Sequence, residues 1–376
     1  MQGAESKENN AMRPLDGIRI VEAAGYLSGP LSAQMLGTLG AEVIKIEPPH
    51  GDAYRNVGHR WNGTGVMWGN CNNGKSSLAL DLKSDEGMET LKGLIAEADI
   101  FIETWRPRVS ASLGLGYEQL SKLNPRLIQV SMTGYGADGE LAAQPAYDAL
   151  IQGRVGLFAY EADGGFPRAT NNFVADKVTG MLIAQFMLAA LFQRERTGKG
   201  LHVETSMLDM MAYYTFPDAM HNRTFVEDDA DQAKLPQPVF QTSDGYITLS
   251  PVTGKHFGRT LEGIGHPEWK EELKQIKSPK EMSRTFYDRI AGPIREKTSK
   301  EWLEIFTALD LPCGPVNNPE DMLNEPQIIH NRVFHEIDTP DGRKRVARYP
   351  ATFDGEMLLP RGSAPTKLNS GKRSFG

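Results

Sequence analysis

The chain has 376 residues, 40% hydrophobic and 24% charged, the balance of a globular protein long enough for two domains. Its net charge of −7 offers no electrostatic basis for binding nucleic acid, and Arg194 closes the longest apolar run short of the ~20 residues that span a bilayer. Two cysteines, Cys71 and Cys313, make neither a disulfide framework nor a zinc site, and the histidines show no ligand spacing, so no metal is expected and a reducing, cytoplasmic setting is.

Residues 1–14 read as a polar tail without the apolar core of a signal peptide. From Leu15 the pattern is strand, turn, helix, strand. IRIVEAA is followed by Gly25 and Ser28–Gly29–Pro30, then by a helix striped with Leu31, Met35, Leu36 and Leu39, then by AEVIKIE. Pro30 suits the first helical position. Such a βαβ unit invites a dinucleotide reading, with Glu47 near the place of a ribose-binding acid. The G-x-G-x-x-G fingerprint is absent, however, and Tyr26 and Leu27 stand where backbone would have to approach a pyrophosphate, which speaks against NAD.

Lys75 and polar neighbours precede the strand SSLALDL, and Ser84 opens a helix with Leu91, Leu94 and Ile95 inward. DIFIETW begins apolar, as a parallel strand covered on both faces does. LIQVSMTGYG is a further strand ending in a glycine loop. The alternation predicts an α/β fold over 15–220, a doubly wound parallel-sheet large domain. Ligands bind such sheets at the carboxyl ends of strands, which here carry AGYLSGP, EPPHG, TWRPR and TGYGADG.

After a turn at Gly164–Gly165 comes a long helix entered through Asp176. Val178, Met181, Leu182, Ala184, Phe186, Leu188, Ala189 and Phe192 leave almost no polar face, which predicts burial on every side. The residues leave two readings of Asp176 open. It caps the helix, worth ~1 kcal/mol, or it is a carboxylate kept ionised by the helix dipole and ready to attack an activated carbonyl. LHVETSML follows as a strand.

Residues 221–325 read as a smaller α+β domain with linkers. It has an acidic stretch around 227–231, a hairpin VFQTSDGYITLSPV turning at Asp244–Gly245, and short helices. Residues 326–376 return to the large domain through FHEIDTP and KRVARYP, joined at Asp341–Gly342, and end in a tail that reads as disordered.

With LDGIRIVE, GAEVIKIEPPHGD, NNGKSSLALDLKSDEG, ETWRPR, MTGYGADG, PAYD, VADKVTG, RERTGKG and CGPVNNPEDMLNEPQ in this order, the chain from Leu15 to Gly355 resembles the class III CoA-transferases, the family of formyl-CoA transferase and carnitine CoA-transferase. The resemblance implies an interlocked, ring-like homodimer, coenzyme A as substrate and product thioester, and a small carboxylic acid as partner. It implies that Asp176 in VADKVTG is the nucleophile. It places Tyr26, Leu27 and Ser28 beside the nucleotide portion of CoA, Lys75 at a phosphate, Thr104, Trp105 and Arg106 along the pantetheine or adenine path, and Tyr135 near the thioester. Arg106 with Arg108 reads as a phosphate clamp. Backbone N–H groups at the helix start and in glycine loops are expected to stabilise oxyanions.

Three departures stand out. Ser112 occupies the place of a usual arginine, acidic EDDADQ replaces the glycine-rich loop of oxalate-handling members, and no C-terminal helix is recognisable after Arg361. The implied reaction is CoA transfer through an aspartyl anhydride and an aspartyl-CoA thioester. A 2-methylacyl-CoA racemase is one alternative, but there a His precedes the Asp of the PAYD motif. Here it is Tyr147 before Asp148, and tyrosine, with a pKa of about 10, is a poor base near neutrality. A non-catalytic acyl-CoA-binding homologue is the other.

Overall fold

The computed structural model describes residues 12–162, 165–227, 238–369 and 373–376. Most of the polar tail, Gly164 and the acidic stretch from residue 228 lie outside that set.

A six-stranded parallel sheet carries the first compact unit, Met1–His221 with Arg332–Gly376. Its strands are β1 (Arg19–Ala23), β2 (Glu42–Glu47), β3 (Ser76–Ala79), β4 (Ile100–Glu103), β5 (Ile128–Thr133) and β6 (Leu201–Ser206). Their spatial order is β3-β2-β1-β4-β5-β6, and every neighbouring pair is parallel. This is the doubly wound order, which reverses between β1 and β4.

Both faces of the sheet are covered, which is why its strands are so apolar. Ile20, Ile100, Ile102, Ile128 and Val130 point to one side, toward α1 (Ser28–Thr38) and α4 (Val174–Thr197). Val21, Ile44 and Phe101 point to the other, against Leu91, Leu94 and Ile95 of α2 (Asp85–Glu97). Ser84 caps α2 by accepting the Gly87 N–H. Pro30 is the third residue of α1 and not the first, since the helix already starts at Ser28. Two further helices flank α4, namely α3 (Asp148–Arg154) and α5 (Met207–Ala219).

Two expectations for α4 need correction. Ile183, Met187 and Ala190 are buried, but Met181, Leu188 and Phe192 are exposed, so the helix is not covered all round. Its 24 residues are also long and apolar enough, by composition, to cross a membrane. Arg194 does not simply close the run; its side chain is buried and pairs with Asp99 at 2.9 Å.

The C-terminal segment, read from sequence as disordered, packs onto this unit where it is described. Arg361 pairs with Asp16, Asn369 Oδ1 accepts the Ala79 N–H at the outer edge of β3, and Phe375 joins the Leu91 cluster. Among its described residues there is no helix. The predicted hairpin Phe334–Thr339 with Gly342–Ala347 is present.

The second compact unit, Asn222–Asn331, has its own core of Phe286, Ile290, Trp302 and Phe306. The hairpin at Asp244–Gly245 pairs β7 (Val239–Gln241) with β8 (Tyr246–Leu249), and Cys313–Pro315 adds a strand on the other edge of β8.

A cage of buried charges sits beneath the carboxyl end of β1. Lys45 Nζ lies 2.8 Å from Glu22 and 3.1 Å from Asp52, and Lys75 Nζ lies 2.6 Å from the other Glu22 oxygen. Burial alone would push the Glu22 carboxyl up; the charges of Lys45 and Lys75 outweigh it and hold it below the usual range. A charge stripped of its partner in such a place is costly. Lys45→Met is therefore expected to destabilise the fold by about 3–5 kcal/mol in urea unfolding, and an unchanged midpoint would contradict the cage.

Candidate active site

Loops leaving β1, β4 and β5 enclose a cleft of about 290 Å³ at the point where the strand order reverses. Its wall is built from Tyr26, Leu27 and Ser28 after β1, Thr104, Trp105 and Arg106 after β4, Gly134 after β5, Tyr147, and Asp176. Seven of the nine residues singled out in the sequence thus come together here.

Each loop is held for a local reason. Gly25 N–H donates to Thr104 Oγ1, and a Cβ on Gly29 would stand 2.5 Å from that of Ala24 and 2.9 Å from Thr104 Cγ2. Only glycine lets the two loops press together. Tyr26 adopts φ 59, a left-handed conformation that a bulky residue holds only where its surroundings enforce it. Its ring meets Tyr147 edge-on, with centroids 5.7 Å apart. After β4, buried Glu103 accepts hydrogen bonds from the Trp105 N–H and from Ser110 Oγ, both at 2.8 Å, which fixes the loop that presents Arg106 to solvent.

Asp176 is the third residue of α4. The N-cap position belongs to Phe173, which supplies no side-chain bond. The carboxylate serving this helix start comes from another element, since Asp148 Oδ1 at the start of α3 accepts the Asp176 N–H at 3.1 Å. Asp176 does not spend its own carboxylate on capping. Its Oδ1 accepts a 2.6 Å hydrogen bond from Ser28 Oγ, and among the described residues Oδ2 accepts none. One helical turn further on, a Cβ on Gly180 would lie 2.9 Å from Ser28 O and 3.2 Å from Leu31 Cδ2. The missing side chain at Gly180 is what allows α1 to approach α4.

Burial pushes the Asp176 carboxyl up to about 6; the Ser28 hydroxyl pulls it down and the Asp148 charge adds to the rise. The expected supply of oxyanion donors at the helix start is reduced. The N–H groups of Val174, Asp176 and Lys177 are taken by Asn172 O, Asp148 Oδ1 and Phe173 O.

Two predicted site residues lie elsewhere. Lys75 is buried, and its ammonium donates to Glu22 Oε2 (2.6 Å), Pro30 O (2.7 Å) and Asn72 Oδ1 (2.9 Å). All three donors are used, so the phosphate role expected of it is corrected to an internal one. Tyr135 is not in the cleft wall itself; it packs against the core, with the Arg154 guanidinium 5.3 Å from its ring and its hydroxyl donating to the carbonyl of cleft-lining Pro145. The role of Asp148 was missed, because a cap supplied from a separate element leaves no mark in local spacing. Among the described residues no group of three or more His, Cys, Asp or Glu is placed to hold a metal ion.

The raised Asp176 pKa has a consequence for stability. The folded chain binds this proton more tightly than the unfolded one, whose value is near 3.8, so stability falls as pH rises between about 4 and 6 and the full penalty persists above. Asp176→Asn keeps an acceptor for Ser28 and carries no charge. It should raise stability near pH 7 by about 1–3 kcal/mol, with the gain closing toward pH 4. Thermal unfolding of both proteins across pH measures this; a pH-independent difference would contradict it.

Residues 15–369 match the sequence model of the family described as CoA-transferase family III. The chain is 30% identical to the succinyl-CoA:glutarate CoA-transferase of Homo sapiens, over 97% of its own length and 86% of that protein's. To the acetyl-CoA:oxalate CoA-transferase of Acetobacter aceti it is 30% identical, over 84% and 83% respectively. The crystal structure of a CAIB/BAIF family protein from Brucella suis is similar with a TM-score of 0.81 at 29% identity, covering 96% of this chain and 97% of that one. A doubly wound sheet with a carboxylate in the cleft at its switch point thus comes with a match along nearly the whole chain, and the protein belongs to CoA-transferase family III.

Proposed function

We propose that the protein moves CoA from an acyl-CoA donor to a carboxylic acid, with Asp176 as the covalent carrier. The observation that carries this reading is the state of that one carboxylate. It is half-buried, tethered through Oδ1 to Ser28, and lines a cleft at the sheet's switch point with Oδ2 accepting no bond among the described residues. Oδ2 attacks the donor thioester carbonyl, the C–S bond breaks, and CoA departs as thiolate. The thiolate then attacks the aspartyl carbonyl, releasing the donor acid and leaving aspartyl-CoA thioester. An acceptor carboxylate repeats the exchange in reverse, and Asp176 is regenerated. No proton or electron changes hands on balance, so no second titrating group is required. The reaction requires that water, which would hydrolyse the anhydride, be kept out while substrate is bound.

Arg106, exposed at the wall, pairs with no carboxylate among the described residues and suits a CoA phosphate. The relatives named above act on glutarate and oxalate, and a short dicarboxylate is the acceptor class proposed here. Racemisation would need two acid/base groups flanking a carbon, and Asp148, the second carboxylate near Asp176, is engaged by the Asp176 N–H and by Gln152. A cleft in which these groups converge also argues against a homologue that has lost turnover.

An interlocked homodimer is part of the proposal. Exposed Met181, Leu188 and Phe192 on α4, with Tyr213, Tyr214 and Phe216 on α5, leave apolar surface that a second copy would cover. The cytoplasm fits two free cysteines.

Asp176→Asn should lower transfer by several orders of magnitude while the fold is kept. Hydroxylamine added after acyl-CoA should modify the peptide spanning Asp176; full activity in the variant, or label on another carboxylate, would refute the assignment. Arg106→Ala should weaken CoA about tenfold in calorimetry, and unchanged affinity would remove it from the site. Light scattering at micromolar concentration should show a dimer; a monomer would overturn the assembly.

A further inference from the structure

We propose that Ser28 is a positioning residue for Asp176, fixing Oδ1 so that Oδ2 alone faces the thioester. The proposal rests on the reading of Asp176 as the nucleophile, and it replaces the place beside the CoA nucleotide that the sequence suggested for Ser28.

Ser28 is 3% exposed, and its one hydroxyl proton is committed to Asp176 Oδ1 at 2.6 Å. Little of it is left for a ligand to touch. A carboxylate on a short side chain rotates about its last bond and exchanges its two oxygens; a strong hydrogen bond to one of them stops that exchange. The donor must itself be immobile for this to work. The turn that carries Ser28 is tied down from beneath at three points. Lys45 Nζ donates to Ala24 O at 2.6 Å, Lys75 Nζ donates to Pro30 O at 2.7 Å, and Asp52 Oδ1 accepts the Tyr26 N–H at 3.4 Å. Glu22 bridges the two lysines, so the three ties belong to one buried network. From above, Gly180 admits the Ser28 backbone to the surface of α4.

The hydroxyl also favours the ionised carboxylate, against burial and the Asp148 charge. The other titratable groups near Asp176 are Tyr54 and Cys71, from the segment between β2 and β3, with Tyr26, Tyr147 and Arg106 in the cleft wall. None of these donates a hydrogen bond to either Asp176 oxygen among the described residues.

The test compares Ser28→Ala, Ser28→Thr and Lys75→Met with the native protein, using succinyl-CoA and glutarate for turnover and hydroxylamine trapping from succinyl-CoA or acetyl-CoA for the first half-reaction. Ser28→Ala should keep CoA affinity within about twofold and lose about 10²-fold in kcat. Its acid limb should move to higher pH, because a hydrogen bond to the charged form has gone. Ser28→Thr, which retains the hydroxyl, should restore both rate and limb. A folded Lys75→Met should lose kcat without losing CoA affinity; if it does not fold, the Ser28 pair decides. Native kcat with an unmoved acid limb in Ser28→Ala, or a loss confined to CoA affinity, would overturn the proposal. Asp176→Asn separates the two levels. If it is inactive while Ser28→Ala runs at full speed, only the positioning role fails. If it turns over normally, the nucleophile reading fails and the positioning role falls with it.

Discussion

The close approach of α1 to α4 is the contact on which the site depends. It occurs where Gly180 has no side chain to keep Ser28 and Leu31 away. A single methyl group there would stand against the Ser28 carbonyl and push α1 off by a few tenths of an ångström or more. The short 2.6 Å bond from Ser28 to Asp176 would then lengthen and weaken. The same economy of side chains recurs at Gly29, where the turn after β1 meets the loop after β4. Two glycines thus bring two strand ends and a helix start into one small volume. The buried lysines supply what glycine cannot, a set of directional bonds that keep a strained turn in one place.

The chemistry follows from a conflict at the start of α4. A carboxylate in the first turn of a helix is normally favoured in its charged form. Here burial outweighs that tendency and lifts the pKa to about 6. For an attacking carboxylate the result is useful. A more basic oxygen is a better nucleophile, yet near pH 7 roughly nine-tenths of it stays ionised. Asp148 has the supporting part, since by accepting the Asp176 N–H it stabilises the helix start and frees the Asp176 side chain from doing so. In the proposed reaction Asp148 holds the helix start and Asp176 is left for the thioester.

Much of this architecture was legible in the sequence. The apolar strand cores and the glycine punctuation between them foretold the parallel sheet, and Asp-Gly pairs marked both hairpins. Of the four strand ends expected to carry a ligand site, those after β1, β4 and β5 line the cleft, and EPPHG after β2 does not. What escaped was direction. A lysine just before a strand reads as a loop residue, but nothing local says that Lys75 turns inward to meet Glu22, 53 positions away. The tail looked disordered because its anchors, Arg361 to Asp16 and Phe375 among the α2 leucines, are long-range contacts of a polar segment. For α4, an all-apolar helix could be wrapped by its own chain or by a second one, and periodicity does not distinguish the two.

The central claim, that Asp176 carries the acyl group and then CoA, has a signature in the fate of oxygen. In the proposed exchange the acceptor acid attacks aspartyl-CoA with one of its own oxygens. When the thiolate then cleaves the second anhydride, that oxygen remains on the enzyme. A single turnover with an acceptor acid carrying the heavy oxygen isotope in its carboxylate should leave one heavy oxygen in the Asp176 side chain, read by mass spectrometry of the peptide from Val174 to Lys177. Acyl-CoA product formed with no isotope on that peptide would contradict the account.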